Sequence, residues 1–272
     1  MRLGTLINEF GDEQLCYFHE NHFLSVEQIG AVFGTFFPGT LSELLESGEE
    51  FEEMQEWWEN EADERLPRAP EASIHFEHAK LGSAVARPGK IIDQDGFRPQ
   101  SSVISGNAEI FFPDVSNIFA SAGVGLVIRK SCRDFDPAES NWKDFVAGFT
   151  QMTCLTTREE SGFRAAYDSF LSLGPVLVSI DEFADQETLA IEFIVSDEIF
   201  EETIDLDFGQ RLADLSQIMT LHPGDVILVP GSTSMEVQGG ETLECRLEDL
   251  PPLVNPAVAA EPLVSETSLD TE

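Results

Sequence analysis

The spacing of hydrophobic positions shifts along this chain, and each shift marks a change of element. Residues Met1–Phe23 alternate in short runs, which predicts strands over Leu3–Glu9 and Gln14–Phe18 with Gly11-Asp12 as the turn. Ser25 precedes Gln28 by three residues and is placed to cap a helix through Val32. Thr40 likewise caps Leu41–Glu46, and Gly48 stops it. Glu49–Glu64 carries Phe51, Met54, Trp57 and Trp58 on one side and glutamates on the other, so it predicts an acidic helix with its aromatic stripe against a core. Leu66-Pro67-Arg68-Ala69-Pro70 ends this region.

From Pro88 onward, continuous apolar runs replace these patterns: Ile110–Phe112, Val124–Ile128, Val176–Ile180, Leu189–Val195 and Val226–Val229. They read as buried strands, and Ser196-Asp197 reads as a hairpin turn after Leu189–Val195. Helical spacing is sparse here, confined to Ala138–Phe145 and Gly209–Met219, where Leu212, Leu215, Ile218 and Met219 share a face. The pattern predicts a mixed, β-rich α+β protein. It divides into a small N-terminal α+β domain over residues 1–75, a main domain over 76–258 and an acidic, disordered tail over 259–272.

Leu212–Gly231 reads as a helix, a Pro223-Gly224-Asp225 turn and a buried strand. This stretch resembles the C-terminal signature of the fumarylacetoacetate hydrolase family, whose members cleave or rearrange acylpyruvates and related 2-oxo acids at a Mg²⁺ or Mn²⁺ site. Further blocks match in order: Pro88–Ile92, Arg98–Val103, Val124–Lys130, Phe145–Thr150 with Arg158, and Tyr167–Phe170 running to Leu173-Gly174-Pro175. The resemblance implies a β-roll main domain and, as is common in the family, a homodimer.

The resemblance also implies a Glu-x-Glu pair, an Asp, a Lys and a Gly-Thr-Pro loop at the site. This chain has Ser121 and Gly123 at the pair, Cys154 at the Asp, Ala165 at the Lys, and Pro230-Gly231-Ser232 in the loop. Mg²⁺ requires hard oxygen ligands, which this set does not supply. The family's Asn-Tyr…His segment should follow Ile92, but Asp93-Gln94-Asp95-Gly96 stands there, so the catalytic His is missing. The expectation is a divergent, degenerate and non-catalytic member, with no catalytic residue, no metal ligand and no cofactor. Its remnant pocket is lined by Ser121, Gly123, Cys154, Arg158, Ala165 and Ser232, and Arg158, Arg164 and His222 leave enough positive charge nearby for weak binding of a small organic anion. The partner is a second copy or an active paralogue. The alternative is a metal-dependent hydrolase or isomerase of acylpyruvate-type 2-oxo acids, with Mg²⁺ or Mn²⁺ on relocated ligands drawn from Asp114, Glu159 and Glu160. Whether the chain is an enzyme stays open between these readings. A third reading, thiol chemistry at Cys154, needs a lowered thiol pKa.

Charge changes the picture of habitat rather than of chemistry. The chain has 51 Asp and Glu against 15 Lys and Arg, a net charge of -36. Such self-repulsion suits molar salt, so a halophilic, cytoplasmic protein is expected. No basic stripe is present to neutralise phosphates, which argues against nucleic acid. No apolar run approaches the ~20 residues of a membrane span. The scattered Cys16, Cys132, Cys154 and Cys245 read as buried, reduced thiols. His75-Phe76-Glu77-His78 contains metal-ligand residue types, but the sequence offers no companion cluster, so it reads as structural or surface.

Overall fold

The computed structural model describes residues 1–94, 96–115, 117–158, 164–183 and 186–259. The N-terminal third forms β1 (Arg2–Ile7), β2 (Glu13–His19), β3 (His22–Ser25), α1 (Val26–Phe33), α2 (Leu41–Ser47), α3 (Glu49–Arg65) and β4 (Ser73–His75). Next come β5 (Ile91–Asp93), β6 (Gly96–Arg98), β7 (Val103–Ile104), β8 (Ile110–Phe112), β9 (Ile118–Ile128) and β10 (Val146–Thr157). They are followed by β11 (Leu171–Leu173), β12 (Val176–Ser179), β13 (Thr188–Val195), β14 (Glu198–Asp205) and α4 (Gly209–Ile218). The last strands are β15 (Val226–Pro230), β16 (Met235–Val237), β17 (Thr242–Arg246) and β18 (Leu253–Ala259).

The strands form two sheets, the larger running β4-β3-β2-β1-β12-β10-β9-β15-β5-β6 and the smaller β14-β13-β17-β18-β8. The long antiparallel pair β9 and β10 is the spine of the larger sheet, in register from Gly148↔Val127 to Thr157↔Ile118, with a bulge between Val146 and Gly148. One face of this pair places Ala120, Val124, Leu126, Phe149 and Leu155 in a core shared with Phe193, Leu243, Cys245 and Leu253 of the smaller sheet. The other face places Val127, Met152 and Cys154 with Ile29, Leu44, Phe51, Met54 and Trp57 of the helices. Burial of each large side chain contributes about 1.5–3 kcal/mol, so both faces are needed to hold the spine.

The caps follow from the residues named above. Ser25 Oγ accepts from Gln28 N–H at 3.3 Å, Thr40 Oγ1 accepts from Glu43 N–H at 3.3 Å, and α2 ends at Gly48 in a positive-φ conformation. Ser196 takes φ 54° in a two-residue turn that joins Val195 to Glu198.

The N-terminal strands extend the main sheet, β1 pairing with β12 through Arg2↔Val178, Leu3↔Leu177 and Gly4↔Val176. Several expectations are corrected. Ala138–Phe145 is not a helix. Asp136 Oδ1 caps Ala138 N–H at 2.8 Å in a turn, and Asn141 Oδ1 starts only a short 3₁₀ turn over Trp142–Phe145. Ile218 does not share the buried face of α4; it is 74% exposed. Ser216 points inward instead and accepts from Phe135 N–H at 2.9 Å, which turns the helix toward Leu212, Ala213 and Ser216. The expected tail from residue 259 begins at the end of a strand, Ala259 pairing with Phe112, and its remainder lies outside the described residues.

Candidate functional site

Antiparallel register decides which side chains meet at the far end of the spine. Ser121 lies directly opposite Cys154, and Gly123 opposite Met152, so these residues share one face of the sheet. The three positions at which the family resemblance implies ligands are thereby brought together. The end of β15 lies alongside β9 here: Pro230 pairs with Gly123, and Gly231 N–H donates to Ala122 O at 2.8 Å. A Cβ on Gly123 would stand 2.2 Å from Val229 O, 2.7 Å from Pro230 Cα and 3.0 Å from Met152 Cε. Backbone occupies the volume where a side chain would begin. Cys154 is buried, and burial pushes its thiol up to about 11; Arg98 acts the other way, and Asp93 reinforces the rise. The thiol is therefore protonated near neutral pH, which removes the nucleophile that thiol chemistry requires.

The strongest charges at the site come from the β5–β6 hairpin, in which Ile91 pairs with Arg98 and Asp93 with Gly96. Arg98 Nε donates to Asp93 Oδ2 at 2.8 Å, and its Nη1 donates to Leu155 O at 2.9 Å and Phe170 O at 3.0 Å. Nη2 is also 2.8 Å from Asp93 Oδ2, a charge contact without the alignment of a hydrogen bond. The Arg98 side chain is 0% exposed. From α4, Arg211 donates through Nη2 to Leu228 O at 3.1 Å, while its Nε is buried without a partner. Burial pulls the Arg211 guanidinium below its ordinary value, and the Asp93 carboxylate opposes that shift. Two guanidinium groups thus act on one carboxylate.

The loop after β15 is held by an acid from β14. Glu202 accepts from Ser232 N–H at 3.0 Å, Ser232 Oγ–H at 2.9 Å and Thr233 N–H at 2.6 Å. Burial works to raise the Glu202 pKa, but the bonds from Thr233 and Ser232 outweigh it and keep the carboxyl below its ordinary value. Gly231 permits this approach, since a Cβ there would lie 2.9 Å from Glu202 Oε2.

The remaining expected pocket residues are dispersed. Arg158 is exposed, with its guanidinium 3.9 Å from the centroid of the Phe119 ring. Ala165 supplies only its carbonyl, 3.4 Å from Arg98 Nη1, and the Ser232 hydroxyl is taken by Glu202. Arg164 is exposed. His222 is not at the site. Its N–H donates to Asp225 Oδ2 at 2.8 Å before β15 begins, whereas the loop lies beyond Pro230, about 13 Å further along the strand. Asp114 is exposed, and Glu159 and Glu160 lie outside the described residues. Sequence reasoning missed Asp93, Arg98, Arg211 and Glu202. The first two carried a signal: an acid and a base flanking the Gly96 turn of a short hairpin are placed to pair across it.

Mg²⁺ or Mn²⁺ does not fit this donor set. The ligand positions present a hydroxyl, a backbone-filled space and a protonated thiol, and Asp93 is engaged by Arg98. Among the described residues, no group of three His, Cys, Asp or Glu side chains is arranged to hold a metal.

Comparison with known proteins agrees with the fold. The model of the fumarylacetoacetate (FAA) hydrolase C-terminal family matches residues 73–258. The homoprotocatechuate catabolism bifunctional isomerase/decarboxylase of Escherichia coli is 29% identical over 185 residues, covering 64% of this chain and 42% of that protein. The chain therefore spans about two-fifths of the length of this relative. The crystal structure of maleylpyruvate hydrolase from Sphingobium sp. SYK-6 superposes with a TM-score of 0.76 at 22% identity, covering 96% of this chain and 100% of that one. A second structure of that enzyme, in complex with manganese (II) ion and pyruvate, gives a TM-score of 0.75 at 23% identity, with the same coverage of both chains. A 5-carboxymethyl-2-hydroxymuconate delta-isomerase from Mycobacterium smegmatis gives 0.70 at 18%, again covering 96% and 100%. This chain belongs to the fumarylacetoacetate hydrolase family. No helix among the described residues is long and apolar enough to cross a membrane.

Proposed function

We propose that this family member binds a small organic anion, of the 2-oxo acid class, without running the metal-dependent reaction of its relatives. The observation that carries the reading is the charge set of the buried Arg98 with the half-buried Arg211 and Asp93, together with a Gly123 that has no room for a ligand side chain. Two guanidiniums against one carboxylate leave net positive charge at one point of a chain whose total is -36. A guanidinium fork suits a carboxylate, and burial strengthens the attraction. The related hydrolase structure contains pyruvate, which makes pyruvate a reasonable probe. Assembly as a homodimer or with an active paralogue, adaptation to molar salt and a cytoplasmic location complete the proposal. They rest on family resemblance and composition.

The test is calorimetric titration of pyruvate in molar KCl, where only a specific site competes with chloride. Saturable binding that weakens in Arg211→Met supports the proposal; no binding at millimolar pyruvate sinks it.

A second reading, a metal-dependent hydrolase or isomerase with relocated ligands, is favoured by the enzymatic activities that its relatives' names carry. It would draw on Asp114, Glu159 and Glu160. Electron paramagnetic resonance with Mn²⁺ in molar KCl separates the two. One tight site would favour the second reading and call for an acylpyruvate hydrolysis assay.

A further inference from the structure

Four of the five histidines of the chain lie at one edge of the larger sheet. His19 is the register partner of His22 across the β2–β3 hairpin, and His22 is the register partner of His75 across β3 and β4. Three imidazoles therefore form a row over three adjacent strands, on one face of the sheet. The rings of His22 and His75 are 5.0 Å apart, centre to centre, at an interplanar angle of 82°. The His78 ring is 6.2 Å from that of His75.

We propose that the cross-strand pair His22 and His75 is a binding site for a late first-row transition ion, of the Zn²⁺ or Cu²⁺ class. The ring separation fits. A metal with M–N bonds of about 2.0–2.1 Å and tetrahedral angles holds two imidazole centres roughly 5 Å apart. Both rings are half-buried, so they can be reached from solvent. The outer contacts fit too. His22 Nδ1 lies 2.8 Å from Glu20 O, which takes a hydrogen bond from that nitrogen and leaves the Nε2 lone pair for a metal. His75 Nδ1 accepts only a long 3.4 Å bond from Glu77 N–H, and the Glu77 carboxylate lies 3.7 Å from the same nitrogen. Metal binding at Nε2 moves the ring proton to Nδ1, which gives up the long bond from Glu77 N–H and places that proton beside the Glu77 carboxylate, the arrangement that raises ligand basicity in metal-bound histidines. The protein supplies two imidazoles and water completes the shell. Imidazole selects late transition ions over Mg²⁺, Ca²⁺ and K⁺, so the pair stays selective on a carboxylate-covered surface.

Copper supplies the test. Cu²⁺ is titrated into the full chain in molar KCl at pH 7.5 and followed by electron paramagnetic resonance. One equivalent should show coupling to two nitrogens, with affinity at least tenfold weaker in His22→Gln and in His75→Gln and unchanged in His222→Gln. Far-ultraviolet circular dichroism of each variant checks the fold, and the edge-strand His75→Gln stands in if His22→Gln misfolds. A carboxylate-only signal without nitrogen coupling, or affinity that neither variant moves, overturns the proposal.

Discussion

The space above Gly123 belongs to Val229, whose carbonyl oxygen would lie 2.2 Å from any β-carbon placed on the glycine. The Val229 carbonyl and Pro230 Cα leave no room for a side chain at this position. Gly123→Ala should destabilise the protein by about 1–3 kcal/mol through overpacking against backbone. Gly123→Glu should cost more and should not create a Mn²⁺ site. Denaturation in molar KCl, with Mn²⁺ titration of the glutamate variant, checks both; a neutral alanine variant would mean that the loop opens readily.

The buried thiols make stability depend on pH at the alkaline end. Burial raises Cys154 from 9.0 to about 11, and Cys16 and Cys245 from 9.0 to about 12. A raised folded-state pKa stabilises the protein below the unfolded value, and that contribution is lost as pH climbs through the folded value. Stability should fall between about pH 9 and pH 12, and thiol reagents should label the native protein slowly at pH 8. Rapid single-site labelling at pH 8, located to Cys154 by mass spectrometry, would contradict the burial argument and reopen thiol chemistry there.

The Glu202 carboxylate ties β14 to the loop after β15, and its depressed pKa has the opposite sign. Its contribution is present above the ordinary carboxylate value and is lost as pH falls through the lower folded value. Glu202→Gln should lower stability at neutral pH by about 1.5–3 kcal/mol, the range for charge-assisted hydrogen bonds. It should also flatten the acid limb of the stability profile. Parallel acid limbs in the variant and the parent would show that other carboxylates govern acid unfolding.

Much of the fold was legible because apolar runs, caps and turn residues act locally. Ser25, Thr40 and Gly48 do in the structure what their spacing predicts, and the β9–β10 register places Ser121 opposite Cys154. The failures were matters of tertiary context. The Ile218 face of α4 lost to a single buried hydroxyl, Ser216, and Asn141 stopped a helix that the apolar spacing favoured. The site was half legible. Ser121, Gly123 and Cys154 can be singled out from a family resemblance, but the charged groups come from β5, β6, α4 and β14, far apart in sequence, and only packing pairs Arg98 with Asp93 and lets Asp93 act on Arg211.

Asp93 and Arg211 therefore predict different outcomes when removed. Asp93→Asn leaves the Arg98 guanidinium, whose side chain is 0% exposed, without its counter-charge and should cost about 3–5 kcal/mol. Arg211→Met removes one hydrogen bond, from Nη2 to Leu228 O, and an Nε without a hydrogen-bond partner, so its stability should fall by only about 0.5–1.5 kcal/mol. Pyruvate affinity should separate the two in the opposite sense. Arg211→Met should weaken it at least tenfold, since the guanidinium charge is given up while the fold loses only the Arg211–Leu228 hydrogen bond. The two measurements together, a denaturation midpoint and a calorimetric titration in molar KCl, distinguish a binding group from a structural one. An Arg211→Met protein that unfolds readily yet binds pyruvate like the parent would make Arg211 a strut beneath Leu228 and leave Arg98 as the anion's sole buried cation among the described residues.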